Sequence, residues 1–328
     1  MSKQLVGNLS RSLQGYKVST LNDIALHCGS PILGTTKATR IEGILSQYQL
    51  YLTQWHSLTR RNTLSIDIGV KNFSYCKTST KATESEQLNI SNWPLLVTHW
   101  EKINLDTQYG SSYKPLLHQD TVLDTKRYLN HITNNLITDR LTPESSNVKI
   151  MEIQRTRSNN NAKTLPTIMT NHTLENLLLA KMYPDLVIPM TSMKLIHFWL
   201  YRFITKESTV KLKRTNKIIR RDLILAWFGK LYQLQEQKQH SVDKSGGLTV
   251  SLLLEYLGLP QGEKTDDLID SLLYNLCINC QLNHLAHFHK YVENENNDGN
   301  LIDFIEDANQ FHLGLIEPVV DKYNLDLK

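Results

Sequence analysis

The sequence has few cysteines and no long apolar stretch. Its 328 residues include only four cysteines, Cys28, Cys76, Cys277 and Cys280. Four thiols are too few for a disulfide framework in a chain of this length, and they fit a reducing compartment, where free thiols are ordinary. Apolar runs such as 177–180 are interrupted by charge and fall well short of the roughly 20 residues that a membrane-spanning helix needs. We therefore expect no membrane-spanning segment.

The first 22 residues contain no aspartate or glutamate, and the sequence also lacks the apolar core of a secretory signal. This stretch carries Lys3, Arg11 and Lys17 among several serines and leucines. Basic, serine-containing segments without acidic residues are typical of mitochondrial transit peptides. Residues 1–17 are therefore a candidate targeting segment, and we expect a mitochondrial protein.

Basic residues are concentrated in one part of the chain. Residues 149–230 contain 15 Lys and Arg against 5 Asp and Glu, whereas the rest of the chain carries 21 basic and 27 acidic residues. Such segregation indicates a basic surface for a polyanion. The other interpretation is a solvated face whose charges are balanced by neighbouring elements of the fold.

The hydrophobic pattern predicts two short helices, then strands, then an alternation of strands and helices. Residues 18–52 have the pattern of two helices joined by a Gly/Pro turn, with too little core of their own, so we expect a satellite module. The predicted strands are 63–68, 73–76, 95–103, 148–153 and 186–190, and the later predicted helices are 121–136, 164–182, 192–205, 216–232, 248–257 and 265–290. This order is typical of an α/β layer fold with a mixed sheet.

Two carboxylates belong to predicted strands. Asp67 lies at a strand exit just ahead of Gly69, which permits a tight turn and a close backbone approach beside it. Glu152 lies inside the apolar strand 148–153, where an ionised carboxylate is costly unless another charge compensates it. The alternatives are an ordinary turn residue for Asp67 and a solvent-facing edge position for Glu152.

Three more carboxylates, Asp266, Asp267 and Asp270, open the predicted helix 265–290. Asp270 follows the other two by four and three positions, so it shares a helix face with each of them. Acidic residues in a first turn also stabilise a helix through its macrodipole, which is the ordinary interpretation. Three like charges within one turn nevertheless repel one another unless a cation lies among them.

Taken together, these carboxylates predict a metal site. Hard oxygen ligands with positions left for phosphate and water suit Mg²⁺, with Mn²⁺ as a substitute. Two such ions about 3.5–4 Å apart activate a water and stabilise the leaving oxygen of an in-line displacement at phosphorus. With the basic flank, the pattern favours hydrolysis of a nucleic-acid backbone.

Three sequence blocks resemble the signature blocks of the fungal mitochondrial Holliday junction resolvases, which are relatives of bacterial RuvC in the ribonuclease H-like superfamily. The blocks are Ser-Ile-Asp-Ile-Gly-Val-Lys-Asn at 65–72, Met-Glu-Ile-Gln-Arg-Thr-Arg-Ser at 151–158 and Lys-Thr-Asp-Asp-Leu-Ile-Asp-Ser at 264–271. The resemblance covers about 62–290. Residues 18–52 also resemble the SAP-type helix-turn-helix DNA-binding module that yeast members carry in front.

The resemblance implies an α/β, ribonuclease H-like mixed sheet flanked by helices, a homodimer, and symmetric nicking of opposed strands in four-way junction DNA. It assigns metal binding and catalysis to Asp67, Glu152 and Asp270, with Asp266 or Asp267 as the fourth ligand. The implied domains are a SAP-like module over 18–55 and a nuclease domain over 62–328. The predicted function is therefore a structure-selective, metal-dependent endonuclease.

Several residues close to these carboxylates are candidates for DNA contact. Gln154, Arg155 and Arg157 follow the strand that carries the glutamate, and the arginine fork suits a phosphate. Lys71 follows the turn after the first aspartate, where a solvated lysine is an equally good interpretation.

Other candidates for DNA contact lie farther away. Lys37 and Arg40 open the second helix of the SAP-like module and are placed to touch backbone phosphates. A phosphate-tracking strip is predicted from the dense basic residues Lys206, Lys211, Lys213, Arg214, Lys217, Arg220 and Arg221. A nuclear-localisation signal at 211–214 is the lesser alternative.

Cysteines and histidines near the C-terminus raise the question of a zinc site. Cys277, Cys280, His284, His287 and His289 all fall on one predicted helix. Four ligands from a single straight helix cannot surround a tetrahedral ion. We therefore expect core cysteines and surface histidines instead of a zinc site.

Two other classes of function share parts of this pattern. Actin-like and sugar-kinase-like ATPases place Asp-x-Gly against a nucleotide phosphate, but they need a second such loop and a Gly-rich adenosine loop. Gly246-Gly247 is the only glycine pair in the sequence. A non-catalytic, architectural DNA-binding protein would combine the helical module and the basic strip with a degenerate site. The complete carboxylate set argues against that alternative.

Overall fold

The computed structural model of the chain describes residues 2–31, 33–81, 95–116, 122–142, 145–154, 165–212, 216–238, 266–293 and 301–328. The predicted helix 248–257 lies outside these ranges. Within them, no helix combines the length and the apolar character needed to cross a membrane.

Five strands form one mixed sheet, which confirms the predicted class of fold. They are β1 (Arg60–Asp67), β2 (Phe73–Lys81), β3 (Leu95–Ile103), β4 (Val148–Glu152) and β5 (Val187–Met190), in the order β3-β2-β1-β4-β5. β2 pairs antiparallel with β1 and β3, whereas β4 pairs parallel with β1 and β5. β1 is therefore the central strand, and the carboxyl ends of β1, β4 and β5 meet at one edge of the sheet.

Helices lie before, between and after the strands. In chain order they are α1 (Ser2–Gln14), α2 (Val18–Cys28), α3 (Lys37–Leu50), α4 (Leu105–Tyr109), α5 (Val122–Leu136), α6 (Leu165–Met182), α7 (Ser192–Ile196), α8 (Lys206–Leu212), α9 (Asn216–Lys238), α10 (Asp266–Glu293) and α11 (Leu301–Tyr323). The sequence prediction missed α11. Its signal was present, because Leu301, Phe304, Ala308 and Leu315 recur at helical spacing and are all buried.

The sheet separates two hydrophobic cores, because successive side chains of a strand point to opposite faces. Leu64 and Ile66 of β1 belong to the smaller core, which α5 and α6 cover. On the other face, Val148 and Ile150 of β4 belong to the larger core, which is completed by the N-terminal helices and by α9, α10 and α11.

Polar side chains fix α10 in its place across the sheet. Ser65 Oγ in β1 donates a hydrogen bond to the carbonyl of Ser271 at 2.7 Å, and Trp100 Nε1 in β3 donates to the carbonyl of Leu268 at 2.8 Å. Farther along the helix, Thr78 Oγ1 donates to Asn275 Oδ1 at 2.6 Å. All of these side chains are buried, so the bonds define the register of α10 on the sheet.

The predicted pair of N-terminal helices is present as α2 and α3. Gly29 ends α2 in the left-handed conformation (φ 68°), which glycine adopts without strain. The expectation of a satellite with little packing differs from the structure. Leu21 and Ile24 of α2 and Ile44 and Tyr48 of α3 are buried in the same core as α10. These short helices complete their apolar faces by packing on the longer helix.

The candidate targeting segment 1–17 is largely the helix α1. Leu9 and Leu13 are buried and belong to the larger core, and α1 packs against α3. Its leucines thus face the protein, while Arg11 on the exposed side bonds to Asn8 Oδ1.

Candidate functional site

Two of the predicted catalytic carboxylates lie side by side at the carboxyl edge of the sheet. Ile66 of β1 pairs with Met151 of β4 in parallel register, so Asp67 and Glu152 are the next residues on the two strands. Asp67 is 7% exposed, and Glu152 is half-buried. Burial and a hydrogen bond with Glu152 raise the pKa of Asp67 well above its ordinary value. Two carboxyls this close hold a proton between them unless a cation takes its place.

The N-terminus of α10 brings further carboxylates to this pair. The charges of Asp270 and Asp267 add to the rise in the pKa of Asp67. Burial, together with the charges of Glu152 and Asp267, raises the pKa of Asp270 to about 7 against the opposing effect of Arg220. Of the two neighbouring aspartates that the sequence left unresolved, Asp267 contributes its charge to both of these pKa shifts.

Two oxygens of this cluster lack a hydrogen-bond partner within the described residues. Asp267 Oδ2 and Asp270 Oδ1 are buried without a hydrogen bond, although Lys102 Nζ lies 3.9 Å from Asp267 Oδ2. Buried carboxylate oxygens are costly when nothing compensates them. A divalent cation takes hard oxygen ligands of this kind, so the residues present fit such an ion.

Arg220 lies in the site and not on a solvated strip. Its Nη1 donates to Asp270 Oδ2, and the two side chains are only 13% and 14% exposed. The sequence prediction grouped Arg220 with residues that track phosphates, because charge density alone does not reveal which face of α9 points inward. Arg220 Nε is buried and has no hydrogen-bond partner within the described residues.

Two further residues near the cluster were not predicted. Tyr274 lies one turn after Asp270 in α10, and its buried hydroxyl has no hydrogen-bond partner within the described residues. Burial and the charges of Glu152, Asp67 and Asp270 raise the pKa of Tyr274. Lys102 of β3 is the other, through its ion pair with Asp267. A tyrosine in an apolar helix and a lysine in a strand give no distinctive sequence signal.

Gln154 acts on the site through Glu152. Its Nε2 donates to Glu152 Oε2 at 3.1 Å and to the carbonyl of Ile68 at 3.3 Å. Its backbone N–H donates to Glu175 Oε2 at 3.1 Å, and His172 Nδ1 lies 3.1 Å from the same oxygen. The amide of Gln154 thus links the ends of β4 and β1 and orients the glutamate.

The remaining candidates for DNA contact divide into three sets. Lys71, Lys206, Lys211 and Arg221 are exposed. Lys37 and Arg40 are half-buried, and Lys37 Nζ donates to the carbonyl of Gln14 at the end of α1. Arg155, Arg157, Lys213, Arg214 and the side chain of Lys217 lie outside the described residues.

Comparison with known proteins gives one family. The family described as "Mitochondrial resolvase Ydc2 / RNA splicing MRS1" matches residues 63–288. No curated protein sequence matches the chain.

Solved structures with some likeness to the chain include the crystal structure of the yeast mitochondrial Holliday junction resolvase Ydc2. That structure is 16% identical, with coverage of 84% of this chain and 99% of that chain, and a TM-score of 0.46. The Thermus thermophilus RuvC structure is 12% identical, with coverage of 70% and 96% and a TM-score of 0.31. T. thermophilus RuvC in complex with a Holliday junction substrate is 10% identical, with the same coverage and TM-score.

Proposed function

Because the chain belongs to the family of the mitochondrial resolvase Ydc2 and the RNA-splicing protein MRS1, we propose that its carboxylate cluster cleaves four-way junction DNA. Membership in the family confirms the predicted class of protein, a ribonuclease H-like, metal-dependent resolvase, and its mitochondrial location. We also propose which metal binds, which residues bind it, which residues contact DNA and how many copies of the chain form the active assembly.

The convergence of buried carboxylates from β1, β4 and α10 is the observation that carries this function. We assign metal binding to Asp67, Glu152, Asp267 and Asp270, and Mg²⁺ as the metal, with Mn²⁺ as a substitute. Asp267 is chosen over Asp266 because its charge acts on the cluster and its Oδ2 lacks a hydrogen bond. When bound, such ions supply an activated water and compensate the charge that develops on the leaving oxygen.

Other side chains keep the carboxylates in position for this chemistry. Arg220 donates to Asp270 Oδ2, while Asp270 Oδ1 is buried without a hydrogen bond within the described residues. Gln154 donates to Glu152 Oε2. Because these two carboxylates are each constrained through one oxygen, they need fewer changes of rotamer to bind a metal.

Junction DNA is the proposed substrate, and two copies of the chain are the proposed active assembly. A four-way junction presents two equivalent strands, so symmetric cleavage calls for two copies of the carboxylate cluster. Exposed Lys71 follows the β1 strand end, and Lys211 and Arg221 lie on α8 and α9. These side chains are suited to phosphates around the site and, because they are exposed, supply affinity that depends on salt.

A cleavage assay tests the proposal directly. A labelled four-way junction and a linear duplex of the same sequence are incubated with the protein in Mg²⁺, in Mn²⁺ and in EDTA. We expect paired nicks in opposed strands of the junction, only with metal. Asp67→Asn should bind the junction without cleaving it, whereas Asp321→Asn, an exposed substitution on α11, should cleave like wild type.

The family description also names RNA splicing, so RNA is the informative second substrate. Binding to structured RNA, with no junction cleavage in either metal, would overturn the nuclease proposal and place the chain with the splicing members. The same result with DNA would support the non-catalytic, architectural alternative.

A further inference from the structure

A second group of metal-ligating side chains lies in the larger core, away from the carboxylates. His27 is in the last turn of α2, Cys280 and His284 are one turn apart on α10, and His312 is in the middle of α11. All four are at most 1% exposed. His27, His284 and His312 each offer a ring nitrogen, and these atoms lie within 4.8 Å of one another.

Cys280 lies beside two of these histidines at distances that fit two ligands of a tetrahedral ion. Cys280 Sγ lies 3.2 Å from His312 Nε2 and 3.6 Å from His284 Nε2. Zinc binds sulfur at about 2.3 Å and histidine nitrogen at about 2.0–2.1 Å, so tetrahedral geometry separates sulfur from nitrogen by roughly 3.5 Å. The spacing of the sulfur and these two nitrogens therefore matches the spacing that a tetrahedral zinc requires.

Hydrogen bonds from the outer nitrogens direct two of the rings. His284 Nδ1 lies 3.3 Å from the carbonyl of His27, so a proton on Nδ1 leaves the Nε2 lone pair facing Cys280. His27 Nε2 lies 3.1 Å from Asn309 Oδ1, so a proton there leaves the Nδ1 lone pair facing His284 Nδ1, 3.3 Å away. Without a metal, this lone pair accepts from His284 Nδ1, and a bound ion would take that place while the His284 proton stays on the carbonyl of His27. Metal-bound histidines usually donate their second N–H to an oxygen in this way.

Arg202 introduces the competing arrangement. Its Nη1 donates to Asn309 Oδ1 at 2.7 Å and also lies 3.0 Å from His27 Nε2. If it donates to His27 Nε2, the histidine proton moves to Nδ1, and the ring no longer offers a ligand to the group. The positive charge of Arg202 also disfavours a dication at this site. A thiolate ligand reduces that cost, because the negative charge of Cys280 compensates one of the two charges of the ion.

Without a metal, the group is poorly satisfied. The Cys280 thiol can donate only one weak hydrogen bond, although two imidazole nitrogens lie beside it. His312 Nδ1 is buried without a hydrogen-bond partner within the described residues. Burial lowers the pKa of His284 to about 3 and the pKa values of His27 and His312 well below 6.5. The histidines are therefore neutral, which is the form that binds a metal.

We propose that His27, Cys280, His284 and His312 bind one structural zinc ion. The ion joins α2 and α11 to α10, the helix whose first turn carries Asp267 and Asp270. The earlier expectation against zinc considered ligands from one helix only, whereas these come from three. Cys280 follows Asp270 by ten residues, or about 15 Å of helix, so the zinc lies apart from the carboxylates. Sulfur and nitrogen ligands select zinc, while the oxygens select Mg²⁺.

Metal content of the full-length protein tests this site. Protein purified without added metal, then equilibrated with Zn²⁺ and dialysed, should contain about one zinc per chain by mass spectrometry. Exchange for Co²⁺ should give the visible bands of a tetrahedral ion and a thiolate-to-cobalt charge-transfer band. Wild type that retains less than about a tenth of an equivalent of zinc, and gives no such bands with Co²⁺, would overturn the proposal without reference to any variant.

A pair of cysteine variants provides the matched comparison. Cys280→Ser should lose the zinc and the charge-transfer band, while Cys277→Ser, equally buried one turn earlier on α10, should keep both. Loss of zinc should also lower the midpoint of thermal unfolding. Equal zinc content in the two variants would overturn the assignment of Cys280. If Cys280→Ser does not fold, X-ray absorption of wild type decides, since one sulfur and three nitrogen ligands are expected.

Discussion

Arg220 of α9 donates a charge-assisted hydrogen bond to Asp270 of α10, and both side chains are largely buried beside Asp67 and Glu152. This contact lowers the pKa of Asp270 from the value that burial alone would impose, and the result is about 7. The ion pair therefore sets how easily a metal displaces a proton from this carboxyl.

Arg220→Gln should move the pH dependence of cleavage. Removal of the arginine raises the pKa of Asp270 further, so the carboxyl ionises only at higher pH. We expect the acidic limb of the rate profile to shift upward and the Mg²⁺ concentration for half-maximal cleavage to rise. Arg221→Gln, its exposed neighbour, is the control, and it should instead flatten the salt dependence of junction binding by about one log–log unit. The opposite pattern would show that Arg220 acts with the basic residues that are predicted to contact phosphates.

Asp67→Asn should stabilise the metal-free protein at neutral and higher pH. The pKa of Asp67 is raised above 3.8, so the folded state holds a proton that the unfolded chain releases. The free energy of unfolding of wild type therefore falls as the pH rises above about 4. At pH 8 the variant should be more stable than wild type, because its neutral amide does not have to bind a proton in order to be buried.

Urea unfolding at pH 5 and pH 8, in EDTA and in Mg²⁺, measures this difference. Mg²⁺ should stabilise wild type more than the variant, because the variant lacks one ligand. If the free energy of unfolding depended on pH equally in the two proteins, Asp67 would be ionised in the folded state at little cost in stability.

Asp266→Asn and Asp267→Asn should have different effects on cleavage, although the residues are neighbours. Asp267 acts on the buried cluster, so its loss should reduce the rate by about two orders of magnitude or more, as expected for several kcal/mol of metal-dependent stabilisation. Asp266→Asn should stay within a few-fold of wild type. Single-turnover rates at saturating protein give the comparison, and the reverse ranking would make Asp266 the ligand.

Deletion of residues 1–58 should prevent stable folding. Leu21, Ile24, Ile44 and Tyr48 fill part of the core against α10, and their removal exposes that apolar surface to water. The truncated chain should be insoluble, or should unfold without cooperativity in circular dichroism. A soluble truncation that cleaves junctions would show that the helices form the separate module predicted from the sequence.

The sequence predicted the sheet, and the positions of Asp67 and Glu152 on its strands, well because each depended on a local signal. β-branched runs marked the strands, and Asp67 and Glu152 lay at or inside them. The choice between Asp266 and Asp267 depended on the rotation of α10 about its axis, and neighbouring positions differ by about 100°. Hydrogen bonds to the sheet fix that rotation, as in the bond from Ser65 to Ser271, and no local pattern reveals them.

Other features of the structure depend on contacts that are distant in the sequence, so local patterns did not indicate them. His27 meets His284 across 257 positions, so a search for ligands on one helix could not find the pair. The apolar residues of α2 and α3 were counted as a small core of their own, whereas they complete the surface of α10. Arg220 was assigned by charge density, and its inward orientation depends on Asp270, fifty positions later.

The carboxylate cluster is assembled from segments that are far apart in the chain. Asp67 and Glu152 are 85 positions apart, and Asp270 follows after another 118. During synthesis, a growing chain therefore completes the sheet before it contains the aspartates of α10. A chain that is interrupted before that helix, or cleaved ahead of it by a protease, lacks the aspartates of α10. Such a fragment should therefore be unable to cut DNA.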